Sequence, residues 1–201
     1  MGTSCPSVIS PIMKYLYANK WDKIANVLDI GIGESGKSAF HIRESFDNTG
    51  QERHFSDQST WKINIVGIEI CEHYRNPLHD YLYDKIYWCD MFDALRDLQS
   101  RACMPKFDVI FFMATIEHIE KDRGIEVLKL IKRCLTRDGV VVITTPNGYE
   151  PQGATDNNPY DEHKCGWELH DFEAMGQWGL DVAHSEVTYN NRLFVVLKRK
   201  V

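Results

Sequence analysis

A glycine-rich turn near the start of the chain carries residue types that bind nucleotide-derived ligands. It spans residues 29–38 and reads DIGIGESGKS. Residues 31–38 match G-x-x-x-x-G-K-[ST], a loop whose backbone N–H groups hold phosphates while its Lys and Ser contact the outer phosphates and Mg²⁺. Residues 31–36 also match G-x-G-x-x-G, which places a pyrophosphate at a helix N-terminus. The turn alone therefore leaves two phosphate-binding interpretations open.

The placement of acidic residues argues against both of them. Asp29 lies two residues before the first glycine of the turn, where its charge would repel a phosphate. A phosphate-loop enzyme also needs an acid at the end of a second apolar strand, but residues 109–112 are followed by Met113. The ribose acid of a dinucleotide site is expected about 20 residues after the turn, whereas Glu69 follows Gly36 by 33 residues. A nucleotide-triphosphatase or kinase using residues 31–38 stays as the alternative enzyme.

The run NVLDIGIG at residues 26–33 resembles the first motif of class I S-adenosylmethionine-dependent methyltransferases. Those enzymes usually have Gly, Ala or Thr where Ser35 stands, so the last position departs from the pattern. Their cofactor has no phosphate but carries an ammonium, a carboxylate and a sulfonium, so glycines that admit it closely and a nearby acid suit it. The resemblance implies cofactor contacts from Asp29, Gly31, Ile32 and Gly33.

Further motifs of the same family follow at the ends of later strands. Glu69 closes VGIE, where the family's acid accepts both ribose hydroxyls, and two carboxylate oxygens suit two vicinal O–H donors. Asp90 follows YWC, where such enzymes hydrogen-bond the adenine amine, although an Asp there also suits a helix N-cap. FDVIFF and LTRDGVVVI resemble the fourth strand and the entry to the fifth. The resemblance covers residues 26–201 and adds five cofactor contacts: Glu69, Ile70, Asp90, Met91 and Met113.

Strand-like and helix-like runs alternate along the chain at spacings typical of α/β proteins. Short apolar runs predict buried parallel strands at residues 26–30, 63–68, 85–88, 108–112 and 140–144. Helices are expected at residues 9–19, 37–46, 72–83, 92–101, 119–135 and 167–176. Residues 180–187 and 192–198 are too close in sequence for a parallel crossover and predict an antiparallel hairpin. The expected fold is a Rossmann-like, doubly wound, seven-stranded sheet, mostly parallel, with an antiparallel C-terminal hairpin strand and helices on both faces.

Glu117 and His118 follow the fourth strand, beside the expected methyl group. They resemble part of the E-x-x-E-H motif with which quinone-type and RNA-terminal O-methyltransferases bind a divalent metal ion. Ala114 replaces the first Glu of that motif, so we expect no such metal site. His118 is a candidate general base, although a histidine at the start of a helix is as often bonded to the backbone. Glu117 is a candidate substrate contact.

Residues 146–164 form a second candidate region, a polar loop after the fifth strand with three prolines. Its T-P-N-G, N-P-Y, H and G-W elements resemble the lid of small bacterial-type methyltransferases that act on sugars, natural products or other small molecules. The resemblance implies that His163 is a base or a substrate ligand and that Tyr160 contacts the substrate. Trp167 is a candidate substrate contact too, although an aromatic there more often anchors a helix.

The 201 residues provide enough chain for one domain. We expect a single methyltransferase domain over residues 1–201, with an N-terminal helical cap at residues 1–25, a substrate lid at residues 146–166 and a polar insertion at residues 43–60. The expected reaction consumes S-adenosyl-L-methionine, releases S-adenosyl-L-homocysteine and methylates O or N of a sugar-like or natural-product-like small molecule. A protein that binds a nucleoside cofactor without turnover is the non-enzyme alternative.

Charge, cysteine content and the apolar pattern indicate which partners and which cell compartment to expect. A net charge of −6 argues against binding a phosphate backbone or an anionic membrane, so a nucleic-acid partner is not expected. Six cysteines without a C-x-x-C pair favour free thiols in a reducing cytoplasm. The first ten residues lack the basic and apolar regions of a signal peptide, and no run of 18 apolar residues predicts a membrane span. A monomer and a homodimer remain equally open.

Overall fold

The computed structural model describes residues 6–20, 22–47, 57–102, 105–155 and 158–200. The middle of the predicted polar insertion at residues 43–60 lies outside the described residues. The strands are β1 Asn26–Ile30, β2 Asn64–Glu69, β3 Lys85–Trp88, β4 Phe107–Met113, β5 Leu135–Pro146, β6 Leu180–Val187 and β7 Arg192–Arg199. The α-helices are α1 Pro6–Lys20, α2 Lys37–Ile42, α3 Pro77–Leu82, α4 Met91–Ser100, α5 Lys121–Cys134 and α6 Leu169–Glu173.

The seven strands form one sheet in the order β3-β2-β1-β4-β5-β7-β6. Strands β1 to β5 pair in parallel, and β7 is inserted antiparallel between β5 and β6. The predicted seven-stranded α/β architecture is confirmed, including the hairpin that ends the chain. The strand order reverses between β1 and β4. The carboxyl ends of these two strands therefore flank the crevice where such sheets bind ligands.

The apolar residues divide into two clusters, one on each face of the sheet. One contains Leu95 of α4, Leu128 of α5 and Phe172 of α6. The other contains Leu16 of α1 and Ile42 of α2. The central strands contribute alternate residues to the two clusters because neighbouring side chains in a strand point to opposite faces. Helices therefore cover both faces, and the ends of the central strands are fixed between them.

Several helices are shorter than the apolar patterns predict. The run at residues 72–83 divides into a 3-10 turn, Glu72–Tyr74, and α3. Pro77 starts α3, and Asn76 caps it by accepting a hydrogen bond from the Leu78 amide. The helix predicted at 37–46 continues from α2 into a π-helical turn, Arg43–Asp47. Such boundaries depend on local capping, which an apolar pattern does not encode.

The helix α1 lies against the sheet beside β7, with Ile12 and Leu16 buried in the core. The predicted N-terminal cap is thus a helix on one sheet face, and none of its described residues lines the cavity at the strand ends. Among the described residues, no helix is both long and apolar enough to cross a membrane.

Candidate active site

A cavity of about 300 Å³ opens at the carboxyl ends of the central strands. One wall is the turn after β1, another is the end of β2, and a third is the segment that follows β4. Part of the 146–166 segment closes the remaining side through Asn158, Tyr160, Asp161 and Lys164. The cavity therefore lies where open α/β sheets bind their ligands.

Gly31 sets the conformation of the glycine-rich turn. Its φ is +75°, a region that L-residues rarely adopt, and a Cβ at this position would overlap the Thr115 side chain. The Gly31 amide donates a hydrogen bond of 2.8 Å to the Ile68 carbonyl of β2. The turn is thus held between β2 and the segment after β4. Of the predicted contact residues, Gly31, Ile32 and Gly33 line the cavity.

The carboxylate of Glu69 lies at the end of β2 and lines the cavity. One oxygen accepts a 3.0 Å hydrogen bond from the Gly33 amide, and the other accepts a 2.8 Å bond from the Cys71 amide. Both oxygens keep a lone pair, because a carboxylate oxygen can accept two hydrogen bonds. Burial raises the pKa of Glu69 above its ordinary value, although hydrogen bonds from the backbone amides of Cys71, Gly33 and Ile70 lower it. Glu69 is therefore an oriented acceptor of the kind predicted for two ribose hydroxyls.

Asp29 occupies a different position from the one expected of a cofactor contact. The carboxylate is buried behind the turn, accepts a 2.7 Å hydrogen bond from the Tyr83 hydroxyl and is not among the residues that line the cavity. Burial raises its pKa from 3.8 to about 7, although hydrogen bonds from Tyr83 and Ser38 lower it. The acid of the first motif thus supports the turn from behind and does not reach the ligand space directly.

The raised pKa of Asp29 predicts a pH-dependent stability. Because the folded protein holds the Asp29 proton up to about pH 7 and the unfolded chain releases it near pH 4, folding loses free energy as pH rises through this window. The facing titratable groups are Tyr83 and Glu69, and neither is altered in Asp29→Asn. We expect the variant to gain about 2–3 kcal/mol on the wild type between pH 5 and pH 8 in urea unfolding. If the difference in unfolding free energy between Asp29→Asn and the wild type does not change with pH, the raised pKa of Asp29 is contradicted.

Ile70, Asp90 and Met91, three of the residues expected to contact the cofactor, also line the cavity. Asp90 also caps α4, since its Oδ1 accepts a 2.8 Å hydrogen bond from the Phe92 amide. The two predicted roles of Asp90 are compatible, because the second carboxylate oxygen is left for a ligand. Met113 lines the cavity from the end of β4, and its sulfur is 3.5 Å from the Ser38 hydroxyl.

Ala114 has a backbone conformation that sequence reasoning did not predict. Its φ is +47°, which costs an alanine roughly 1–2 kcal/mol. The Ala114 amide donates to the Thr144 carbonyl at 2.8 Å, so pairing with β5 holds the strained residue in place. It lies in the cavity wall between Met113 and Thr115. No sequence signal marks it, since a left-handed position usually selects Gly or Asn.

Glu117, His118 and His163 come together beside the cavity although 45 residues separate the two histidines. The imidazole rings are 4.9 Å apart between centroids. His118 lines the cavity, while Glu117 and His163 are buried behind it at 2 % and 6 % exposure. Burial raises the pKa of Glu117 to about 7 and lowers the pKa of His118. The sequence predicted each residue as part of the acceptor site but did not predict that the three meet.

Backbone carbonyls fix both histidines. His118 Nδ1 lies 3.2 Å from the Glu162 carbonyl, and His163 Nδ1 lies 2.5 Å from the Glu150 carbonyl. Since a carbonyl oxygen only accepts, each Nδ1 carries the proton, and the backbone of Ala114 is a second hydrogen-bond partner of the His118 ring. Backbone hydrogen bonds thus fix the orientation of both rings within one small cluster.

The segment at residues 146–166 is tied to the cavity at several points. The Lys164 amide donates to the Glu117 carbonyl at 2.8 Å, and Asn158 Nδ2 donates to the Tyr74 hydroxyl at 2.8 Å. Tyr160, a predicted substrate contact, lines the cavity and is half exposed. Sequence reasoning missed Tyr74 and Asn158, which join the segment to the end of β2, because nothing in either stretch indicates a partner so distant in sequence.

Trp167 is not a substrate contact, which corrects the sequence expectation. The ring is fully buried, stacks on Phe172 at 5.1 Å and has the Lys121 ammonium 4.3 Å above it. A Cβ at position 124 of α5 would collide with this ring, so the residue there is Gly124. Trp167 therefore anchors α6 to α5, which is the more common role of an aromatic at that position.

Solved methyltransferase structures superpose on nearly all of this chain. An S-adenosylmethionine-dependent methyltransferase from Clostridium acetobutylicum ATCC 824 has a TM-score of 0.61 at 13 % identity, over 94 % of this chain and 89 % of that one. The CcbJ methyltransferase from Streptomyces caelestis has a TM-score of 0.63 at 11 % identity, over 94 % and 88 %. The DhpI–SAH complex has 0.62 at 13 %, over 96 % and 88 %. The chain has the class I methyltransferase fold.

Other structures with the methyltransferase fold are much longer than this chain. The chain spans about half of the mitomycin 7-O-methyltransferase MmcR, covering 50 % of it at 15 % identity and a TM-score of 0.55. It covers 55 % of the pyocyanin biosynthetic protein PhzM. No family model matches the sequence, and no curated protein sequence matches it either. The likeness is therefore one of fold, and the activity has to be argued from the site.

Proposed function

We propose that this protein is an S-adenosylmethionine-dependent methyltransferase that transfers a methyl group to O or N of a small molecule. The observation that carries the proposal is the carboxylate of Glu69, held by two backbone amides at the cavity wall next to a glycine turn. The two buried carboxylate oxygens of Glu69 can accept the ribose hydroxyls. The glycine turn beside them lets the attached thioether or sulfonium approach the backbone closely. The site does not suit a phosphate, which the carboxylate would repel.

The backbone amides of the turn also disfavour the phosphate alternative. Those of Gly31 and Ile32 are directed to the Ile68 carbonyl, and that of Gly33 to Glu69. A phosphate loop needs such amides free to surround its ligand. We therefore do not propose a nucleotide-triphosphatase or kinase, and we keep nucleoside binding without turnover only as an outcome of the tests.

The proposed cofactor extends across the cavity from Asp90 to the segment after β4. Its adenine lies near Asp90 and Met91, its ribose at Glu69, and its methionine part along the glycine turn, with the sulfonium toward Met113 and His118. Each of these residues lines the cavity. Asp29 does not line it and supports the glycine turn from behind. The ammonium group then gains its favourable charge from the cavity as a whole, which includes Glu69, Asp90 and Asp161.

Methyl transfer is an in-line displacement at an already activated carbon, so the protein contributes mainly position and exclusion of water. We propose that the acceptor's reacting atom lies against His118, with His163 behind it, and that these residues activate it. Tyr160 and Glu117 complete the acceptor end. The segment at residues 146–166 acts as the substrate lid, because it supplies four wall residues and carries His163.

A small acceptor agrees with the size of the cavity and with the named neighbours. A cavity of about 300 Å³ is at the lower end of the range for small-molecule sites, and the net charge of −6 argues against nucleic acid. MmcR is named as a 7-O-methyltransferase of mitomycin and PhzM as a pyocyanin biosynthetic protein. We propose an acceptor of similar size, a single domain over residues 1–201, and a cytoplasmic location.

Thermal unfolding with two ligands tests this proposal. At about 100 times its dissociation constant, a ligand of the folded state adds about 2.7 kcal/mol, which for a chain of this size raises Tm by about 5–10 °C. We expect this rise with S-adenosylhomocysteine and none with ATP and Mg²⁺. Stabilisation by ATP and Mg²⁺ alone would overturn the proposal. Stabilisation by S-adenosylhomocysteine without transfer to any acceptor from a labelled-cofactor screen would favour the binding protein instead.

A further inference from the structure

Asp161 places a buried carboxylate in the wall of the cavity. The side chain is only 4 % exposed and lines the cavity. Within the described part of the chain, Asp161 forms hydrogen bonds only through its backbone: its amide donates to the Asn158 carbonyl at 3.2 Å, and its carbonyl accepts from Gln152 Nε2 at 2.7 Å. A charge removed from water without a partner is costly, so buried carboxylates are normally paired or bound to a ligand.

The fold of the lid does not depend on the Asp161 carboxylate. Asn158 organises the turn before it, since its Oδ1 accepts a 2.9 Å hydrogen bond from the Tyr160 amide and its Nδ2 donates to the Tyr74 hydroxyl at 2.8 Å. Backbone groups and neutral side chains therefore hold this part of the lid. The described hydrogen bonds give the charge of Asp161 no structural role.

The basic side chains of the cavity wall do not neutralise Asp161. Lys37, Arg123 and Lys164 line the cavity, but among the described residues none of them forms an ion pair with Asp161. Lys164 pairs with Glu162 instead. The guanidinium carbon of Arg123 lies 4.3 Å from the centroid of the Phe92 ring. The negative charge of Asp161 is therefore left for a ligand.

Asp161 faces the space between the end of β2 and the turn after β4. Burial raises the pKa of the Tyr74 hydroxyl, and the negative charge of Asp161 raises it further. Burial lowers the pKa of His118, and the same charge opposes that change. In the proposed arrangement the ammonium of the cofactor lies along the glycine turn, so the space in front of Asp161 belongs to the acceptor.

Two aromatic rings accompany the carboxylate in the cavity wall. Tyr74 and Tyr160 line the cavity together with Asp161. Aromatic faces attract cations, and an ionised carboxylate offers only acceptor oxygens. A protonated amine suits such a set, because it donates hydrogen bonds and also neutralises the buried charge. A hydroxyl would donate a hydrogen bond but leave the charge uncompensated.

We propose that Asp161 binds a protonated amino group of the methyl acceptor, so that the acceptor is a small molecule bearing an amine. This inference rests on the proposed methyltransferase function and narrows its class of acceptor. An ammonium nitrogen has no lone pair with which to attack a methyl group. The amino group therefore anchors the acceptor, and the methyl group goes to another O or N of the same molecule near His118.

Thermal unfolding of Asp161→Asn without ligand tests whether the carboxylate has a structural partner. Removing a buried, unpaired charge should leave Tm equal to or above that of the wild type. Glu162→Gln is the matched control, because it changes the neighbouring carboxylate, which is half exposed and does not line the cavity. Loss of its surface ion pair should change Tm little. A fall of Tm in Asp161→Asn beyond that of Glu162→Gln would overturn the proposal.

Matched pairs of small molecules test the preference for an amine. The probes are tyramine with tyrosol and glucosamine with glucose, in which an amino group replaces a hydroxyl on the same skeleton. We expect NMR titrations, with and without S-adenosylhomocysteine, to show tighter binding of the amine in at least one pair. Asp161→Asn should weaken amine binding by about tenfold or more, whereas Glu162→Gln should bind as the wild type does.

Each remaining outcome overturns one assignment. A wild type that binds no amine more tightly than its alcohol overturns the proposal, and so does an amine preference that Asp161→Asn retains. If Asp161→Asn binds S-adenosylhomocysteine about tenfold more weakly but binds methylthioadenosine, which has no ammonium, as the wild type does, the charge serves the cofactor and the acceptor assignment is wrong. Amine binding without any binding of S-adenosylhomocysteine refutes the methyltransferase alone.

Discussion

Replacing Glu69 by alanine should weaken S-adenosylhomocysteine binding by about 100-fold or more in isothermal titration. The carboxylate is expected to accept both ribose hydroxyls, and hydrogen bonds to a charged acceptor contribute about 1.5–3 kcal/mol each. Losing two of them corresponds to at least about 3 kcal/mol, or slightly more than two orders of magnitude in Kd. The change also removes the acceptor of the Gly33 and Cys71 amides, so the turn loses its link to β2.

Two controls separate binding from folding in this experiment. Glu72→Ala, in the exposed turn just after β2, removes a carboxylate of the same type close by and should leave Kd unchanged. Glu69→Gln keeps the size of the side chain and one oxygen acceptor, so it should bind better than Glu69→Ala but worse than the wild type. A folded Glu69→Ala protein with wild-type affinity would show that the ribose is not at the end of β2.

Replacing Gly31 by alanine should destabilise the protein by about 3 kcal/mol and abolish detectable cofactor binding. The left-handed backbone costs an alanine about 1–2 kcal/mol. The new Cβ would also lie 2.7 Å from the Thr115 Cγ2 atom, and overpacking of this kind adds about 1–3 kcal/mol. The Gly31 amide donates a hydrogen bond to the Ile68 carbonyl of β2. Moving the turn to relieve the clash would therefore strain this hydrogen bond and distort the wall of the proposed cofactor site.

Urea unfolding measures the stability change, and Gly148→Ala is the matched control. Gly148 also has a positive φ, +90°, but a Cβ there would meet nothing within 4 Å. Gly148→Ala should therefore lose only the backbone contribution of about 1–2 kcal/mol. Equal losses in Gly31→Ala and Gly148→Ala would mean that Thr115 does not constrain the turn, and the steric part of the account would be wrong.

The sheet could be predicted from the sequence because its strands are buried on both faces. Runs such as residues 108–112 are almost continuously apolar, and the short link between residues 187 and 192 leaves only a hairpin. Helix ends were predicted less well. Pro77 and Asn76 start α3 by local capping, and the π-helical turn Arg43–Asp47 continues α2 through tertiary contacts of Arg43.

The lining of the cavity proposed to hold the cofactor was also largely predictable, because many of its residues end or directly follow strands. Glu69, Asp90 and Met113 each end or follow a strand, and parallel strands bring their carboxyl ends together. Asp29 differs because β1 ends one residue later, at Ile30, and successive side chains of a strand point to opposite faces. Its side chain consequently points to Tyr83 and not into the cavity.

The acceptor end was the least predictable part of the site. Its residues come from a 3-10 turn after β4 and from a loop that is ordered by carbonyl contacts rather than by an apolar pattern. The meeting of His163 with Glu117, and of Asn158 with Tyr74, depends on how that loop folds over the strand ends. Trp167 was ambiguous for the opposite reason, since a large aromatic suits a core as well as a substrate pocket.

The most direct test of the central claim is a crystal structure of the protein soaked with S-adenosylhomocysteine. The account predicts density for the ligand in the cavity, with both ribose hydroxyls within hydrogen-bond distance of Glu69, the adenine against Met91 and the sulfur directed toward His118. Ligand density outside this cavity, or a ribose that does not contact Glu69, would contradict the account.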